Sequence, residues 1–202
     1  TLKVEVTNGT GSGSPATLQN TDGAGGGSVQ AGVENVTLTS TGDEANTLDL
    51  QAGGDLDTVN IEGDQGLTLL NGDDGFASIS TITGGEGDDV VEFGDGNLDS
   101  GDTVNLAGGT NALRFDIGGA NALNAGDADG VSNTEELVIK DTGDGGTIAV
   151  DASVASFAGT FVVDIEDSNE NNTTNDLSID NIEDGDTVRN VNGTGVDNDD
   201  GT

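Results

Sequence analysis

Gly84-Gly85-Glu86-Gly87-Asp88-Asp89-Val90-Val91-Glu92 is the stretch on which the reading of the whole chain turns. Its glycines permit φ > 0 and close backbone approach, so the segment bends sharply. Asp89 brings a hard oxygen ligand to the bend, and the β-branched pair Val90-Val91 starts a strand. Turn, carboxylate and strand form one nine-residue unit of the pattern G-G-x-G-x-D-x-U-x, with U apolar.

The unit has echoes. Asp57-Thr58-Val59-Asn60-Ile61, Asp102-Thr103-Val104-Asn105-Leu106 and Asp186-Thr187-Val188-Arg189 share D-T-V, each behind an acidic Gly turn. With Asp57, Asp102 and Asp186 at the sixth position, Val59, Val104 and Val188 take the apolar eighth, the register of Asp89 and Val91. Around them, short apolar stretches recur between Gly, Asp and Asn clusters, as strands bounded by turns do. They include Leu2–Val6, Val33–Thr39, Thr47–Leu50, Thr58–Ile61, Leu67–Leu70, Ile79–Ile82, Val90–Phe93, Val104–Leu106, Leu113–Ile117 and Leu137–Ile139. Ile148–Val150, Phe161–Ile165, Leu177–Ile179 and Val188–Val191 continue the series. Many alternate apolar and polar residues, so one face is buried and the other wet. In the first half their centres lie roughly 10 to 12 residues apart, which fits a β-sandwich or the rungs of a solenoid. The internal repetition favours an all-β parallel β-helix or β-roll-like solenoid, with a β-sandwich as the alternative.

Composition narrows the chemistry. The 202 residues carry 39 Asp and Glu against four Lys and Arg, a formal net charge of -35, with no Cys, His, Met, Trp or Tyr. Nucleic acid and anionic membrane both need clustered cations, so neither is an expected partner. Without His or Cys there is no imidazole base, thiol nucleophile, disulfide or soft-metal site. No apolar run reaches the roughly 20 residues of a membrane span. Leu, Ile, Val and Phe make up about 23% of the chain, enough for a thin core that carboxylate repulsion opposes. Bound divalent cations or very high salt would relieve that repulsion. The five phenylalanines, Phe76, Phe93, Phe115, Phe157 and Phe161, sit in or beside apolar stretches and are expected in the core. With so few aromatic and basic residues to handle sugars, catalysis is not expected.

The unit at Gly84 resembles a repeat of the RTX calcium-binding family, and the wider texture resembles bacterial surface-layer and giant-adhesin β-solenoids. The resemblance implies secretion, folding on extracellular calcium, and assembly into lattices, fibres or adhesive stalks. It also implies that Asp89 supplies side-chain oxygens and the Gly84–Gly87 turn, with Glu86, supplies further ligands, while Asp57, Asp102 and Asp186 occupy matching positions. One complete nonapeptide stands in the chain, and the next frame keeps only Gly94 and Gly96, so irregular calcium-binding turns are expected. Asp73 in Asn71–Gly75, and Asp127 and Asp129 in Asp127–Asn133, are further candidate calcium ligands. The latter run resembles part of an EF-hand loop, but its twelfth position is Val138 rather than a bidentate Glu. Asp141–Gly145 and Asp197–Asp200 place more carboxylates at short spacing.

The expected organisation is an N-terminal strand with a Gly/Ser-rich linker over 1–27, a solenoid over 28–191, and a flexible tail or continuation over 192–202. Residues 1–6 are an expected intersubunit strand, whose deletion would abolish assembly. The expected function is an extracellular, calcium-stabilised, self-assembling structural protein, with cell-surface polysaccharide as a second partner. A carbohydrate- or ice-binding module and a halophilic surface protein are the alternatives. A carbohydrate or ice surface needs a regular outward array of Thr or aromatic residues, and along the sequence the threonines are irregularly spaced.

Overall fold

The computed structural model describes residues 1–7, 16–18, 32–51, 54–70, 76, 78–94, 96–117, 122–123, 127–141, 146–151, 160–165, 175–180 and 187–190. Three sheets are formed from them, and every strand pair is parallel. Sheet A runs in the order β1 (Leu2–Thr7), β3 (Asn35–Thr41), β5 (Thr58–Glu62), β7 (Thr81–Thr83), β9 (Thr103–Asn105), β12 (Val131–Ser132). Sheet B runs β2 (Ala16–Leu18), β4 (Asn46–Leu50), β6 (Leu67–Leu70), β8 (Val90–Gly94), β10 (Ala112–Ile117), β13 (Glu136–Asp141), β15 (Thr160–Ile165), β17 (Thr187–Asn190). The third sheet holds β11 (Ala122–Leu123), β14 (Gly146–Asp151) and β16 (Asn175–Asp180).

Alternation between sheets A and B makes the chain a β-solenoid, each coil giving one strand to each sheet. Four coils from β3 to β10 stack without interruption. A sandwich built from hairpins would pair antiparallel, so that alternative is set aside. β1 is the first strand of sheet A, paired residue for residue with β3 from Leu2↔Val36 to Thr7↔Thr41. Among the described residues no helix is long and apolar enough to cross a membrane.

Period-two alternation fills the interior. Val36, Val59, Ile82, Val104 and Val131 stack in one inward row of sheet A, and Leu48, Leu69, Val91, Leu113 and Leu137 face them from sheet B. All ten are buried. Leu56, Phe76, Ile79, Leu98 and Ala128 plug the corner where sheet B leads back into sheet A. Phe76 meets Phe93 edge-on with centroids 5.8 Å apart, and Phe93 stacks on Phe115 at 6.3 Å. Those three are core residues as expected, while the side chain of Phe161, and Phe157 itself, lie outside the described residues.

The corner from sheet A into sheet B repeats a backbone need. Gly42 and Gly63 stand four residues before β4 and β6, and Ala107 four before Asn111, which leads into β10, with φ of 115°, 111° and 60°. A Cβ in that region crowds the following carbonyl by roughly 1–2 kcal/mol. Ala107→Gly, at an exposed position, should therefore raise the unfolding free energy by up to about 1 kcal/mol once the glycine's extra chain entropy is offset. Urea titration of the two chains measures it.

Candidate functional site

Two kinds of corner join the sheets, and the candidate residues divide between them. The nonapeptide lies at the corner from β7 into β8. There, the register position that opens β4 and β6 and immediately precedes β8, β10 and β13 carries Asn46, Leu67, Asp89, Asn111 and Glu135 in successive coils.

At the end of a ladder a backbone N–H has no strand partner and must find another acceptor. Side chains from the next coil supply it. Leu67 N–H donates to Asp89 Oδ1 at 2.9 Å, Asp89 N–H to Asn111 Oδ1 at 2.8 Å, and Asn111 N–H to Glu135 Oε2 at 2.7 Å. Leu67 has no acceptor to offer, and Asn46 N–H turns to the Gly66 carbonyl at 2.9 Å. Asn46 instead donates through Nδ2 to Ser40 Oγ and the Thr41 carbonyl, and Ser40 Oγ donates to the Gly66 carbonyl. The result is a buried polar column that clamps coil to coil.

Asp89 sits fully buried in that column. Its Oδ2 accepts the Gly85 N–H at 2.8 Å, so both carboxylate oxygens are held by backbone donors. Burial pushes its pKa above the usual carboxylate range; the Gly85 and Leu67 N–H groups pull it down, and the Asp88 charge raises it. The glycines of the unit answer to packing. A Cβ on Gly84 would collide with the Leu106 backbone of the next coil, and one on Gly87 with Gln65 and Gly66 of the previous coil. Gly84, Gly87 and Asp89 thus form a closed bracket, in which both carboxylate oxygens accept backbone N–H groups and the two glycines let neighbouring coils pack against the turn. Glu86 is the exposed candidate of the unit, beside exposed Asp88, whose Oδ1 accepts the Thr110 N–H at 2.7 Å.

Asp57 and Asp102 lie elsewhere, at the corner from sheet B into sheet A. Extending the strand register places Glu34, Asp57, Ser80, Asp102 and Asp129 in one column. Ser80 Oγ donates to Asp57 Oδ1 within it, at 2.5 Å. Asp102 is half-buried and accepts the Asp99 N–H at 2.8 Å; burial raises its pKa, that bond lowers it and the Asp99 charge raises it. Asp129 is exposed and Asp127 half-buried. The structure therefore brings Asp57, Asp102 and Asp129 to one column and keeps Asp89 on the other side of the coil. Asp73 and Asp186 fall outside the described residues. Among the described residues, no group of three or more acidic side chains is placed to hold a metal ion.

Asn111 is the partner that sequence reasoning missed. Fully buried, it accepts the Asp89 N–H and donates through Nδ2 to the carbonyls of Leu106, Gly108 and Asn133. The signal was a polar residue two places before an inward apolar one: Asn46-Thr47-Leu48, Asp89-Val90-Val91, Asn111-Ala112-Leu113, Glu135-Glu136-Leu137. Asn111→Asp keeps the acceptor but turns a carboxylate on three carbonyls. It should cost about 2–4 kcal/mol at neutral pH, read from the urea midpoint.

No protein-family model matches the chain, and no match is found among curated proteins or solved structures.

Proposed function

We propose that this solenoid is a structural segment of an extracellular assembly, a surface layer, fibre or adhesive matrix, in which coils self-associate and calcium offsets the acidic surface. The observation that carries the reading is the one-to-one parallel register of the stack, a repeat that further coils of like shape extend at its terminal strands. With a net charge of -35, two such stacks approach only if their carboxylates are neutralised. Exposed Asp43, Glu44, Asp64, Glu86 and Asp88 line one corner and exposed Asp57 and Asp129 the other, with coils about 4.8 Å apart. Carboxylates of neighbouring coils are the donors this reading assigns to calcium, a hard cation that takes oxygen ligands.

Titrating calcium into the full chain at low ionic strength, with circular dichroism and sedimentation as readouts, tests this. Gain of β-structure and growth of particle size at millimolar calcium, reversed by chelator, is the expected outcome. β-Structure and size unchanged by calcium or chelator would remove calcium from the reading. Equal effects of molar sodium or potassium chloride would make the acidity a salt adaptation.

A further inference from the structure

The outer face of sheet A carries a feature that assembly through carboxylates does not use. Register aligns two outward rows, Asn35-Thr58-Thr81-Thr103 and Thr37-Asn60-Thr83-Asn105-Ser132. All nine residues are Thr, Asn or Ser, in a chain where 43 of 202 residues are charged. The outer face of sheet B is different, with Asp49, Glu92, Arg114 and Glu136 interspersed. In sheet A the charges begin at the margins, with Lys3 on one side and Glu62 along the next row.

The rows are ordered and underused by the protein itself. Repeats of about 4.8 Å from strand to strand and about 6.6 Å along each strand follow from parallel pairing. The hydroxyls of Thr81, Thr83 and Thr103 bond to none of the described residues, while Thr37, at the β3 margin of the strip, is only 7% exposed and contributes little to the open surface. Thr58 contacts its neighbour Asp57 at 3.4 Å; Asn105 Oδ1 accepts from Ala107 N–H and Asn133 Nδ2; and Ser132 Oγ reaches the Val104 carbonyl at 3.5 Å.

Chemistry selects the occupant. The strip spans a few hundred Å², well short of the roughly 800 Å² per partner of a stable protein interface. Its nine residues offer no charge to an ionic partner and no ring on which a sugar would stack. What it offers is a lattice of hydroxyls and carboxamides, groups that both donate and accept hydrogen bonds. Threonine is stiff at χ1, so little rotamer freedom is lost on contact. A surface of crystalline water is likewise a fixed, uncharged lattice of donors and acceptors.

We propose that the outer face of sheet A, over β3, β5, β7 and β9, binds ice. The test uses the full chain under conditions in which circular dichroism shows the β-fold. The wild-type chain is expected to concentrate in a growing ice shell and to hold a gap between melting and freezing. Thr81→Tyr, which lifts a ring above the array while keeping a strand-forming residue, should lose most of both; Thr68→Tyr, on the outer face of sheet B, should keep both. Should Thr81→Tyr fail to fold, Thr103→Tyr, at an exposed position of the same row, takes its place. Exclusion of the wild-type chain from ice, equal loss in Thr68→Tyr, or capture by crystalline chitin or cellulose in place of ice would overturn the proposal. A chain that enters ice without self-associating leaves this inference standing and removes the assembly reading.

Discussion

Asp89→Ala is expected to lower the unfolding free energy by about 2–4 kcal/mol. Alanine leaves two N–H groups, those of Leu67 and Gly85, without their acceptors inside the corner. Each unsatisfied buried donor costs about 1–3 kcal/mol, and relief from burying a carboxylate offsets part of the sum. The measurement is a urea unfolding curve for each chain, run in calcium and again in chelator. A bracket residue predicts the same loss in both. A loss confined to calcium would instead make Asp89 an ion ligand, as the resemblance of its nonapeptide implies. Asp89→Asn should fall between the two chains, because its oxygen still serves one N–H while its NH₂ opposes the other.

Acidification is expected to stabilise the fold, the reverse of ordinary acid denaturation. Asp89 and Asp102 both have pKa values raised by burial in the folded chain. For such groups the folded state binds more protons than the unfolded state at pH values between the two pKa values. Unfolding free energy therefore falls as pH rises through that window and is greatest below the unfolded pKa. The net charge of -35 pushes the same way. Four Lys and Arg stand against 39 Asp and Glu, and one of them, Arg114, pairs with Glu92 at 3.4 Å, so few acids are held charged by a cation. Discharging them toward the pI of about 4.1 removes self-repulsion. At low ionic strength without calcium, the melting temperature should climb from neutral pH to about pH 5, by about 2–4 °C for each kcal/mol gained. A melting temperature that drops over this interval would mean that bonds to the ionised form outweigh both burial and repulsion.

Much of the fold was legible because strand alternation and repeat length are local. The 10–12 residue spacing between strands is half a coil: Val91 and Leu113, paired in sheet B, are 22 residues apart. The corners were not legible in the same way. Asp-x-Val appears wherever a strand starts with its second residue inward, so Asp57, Asp89 and Asp102 look alike in sequence although they occupy opposite corners. Asn46 and Asn111 read as turn formers, and only the stacking of coils shows that they hold the neighbouring coil. The threonine array was hidden for a related reason. Thr58, Thr81 and Thr103 are 23 and 22 residues apart, because corner length varies, and backbone pairing restores the row that sequence spacing obscures.

The coil geometry also fixes how the protein would respond to load. Each 22-residue coil adds only about 4.8 Å to the height of the stack, yet once peeled away it pays out about 70–80 Å of chain. Pulled end to end, the stack would shed coils in succession, each release capping the tension before the next clamp gives way. The buried column of Asn46, Asp89 and Asn111 would set the height of those steps, giving a tether whose slack is stored in its own walls.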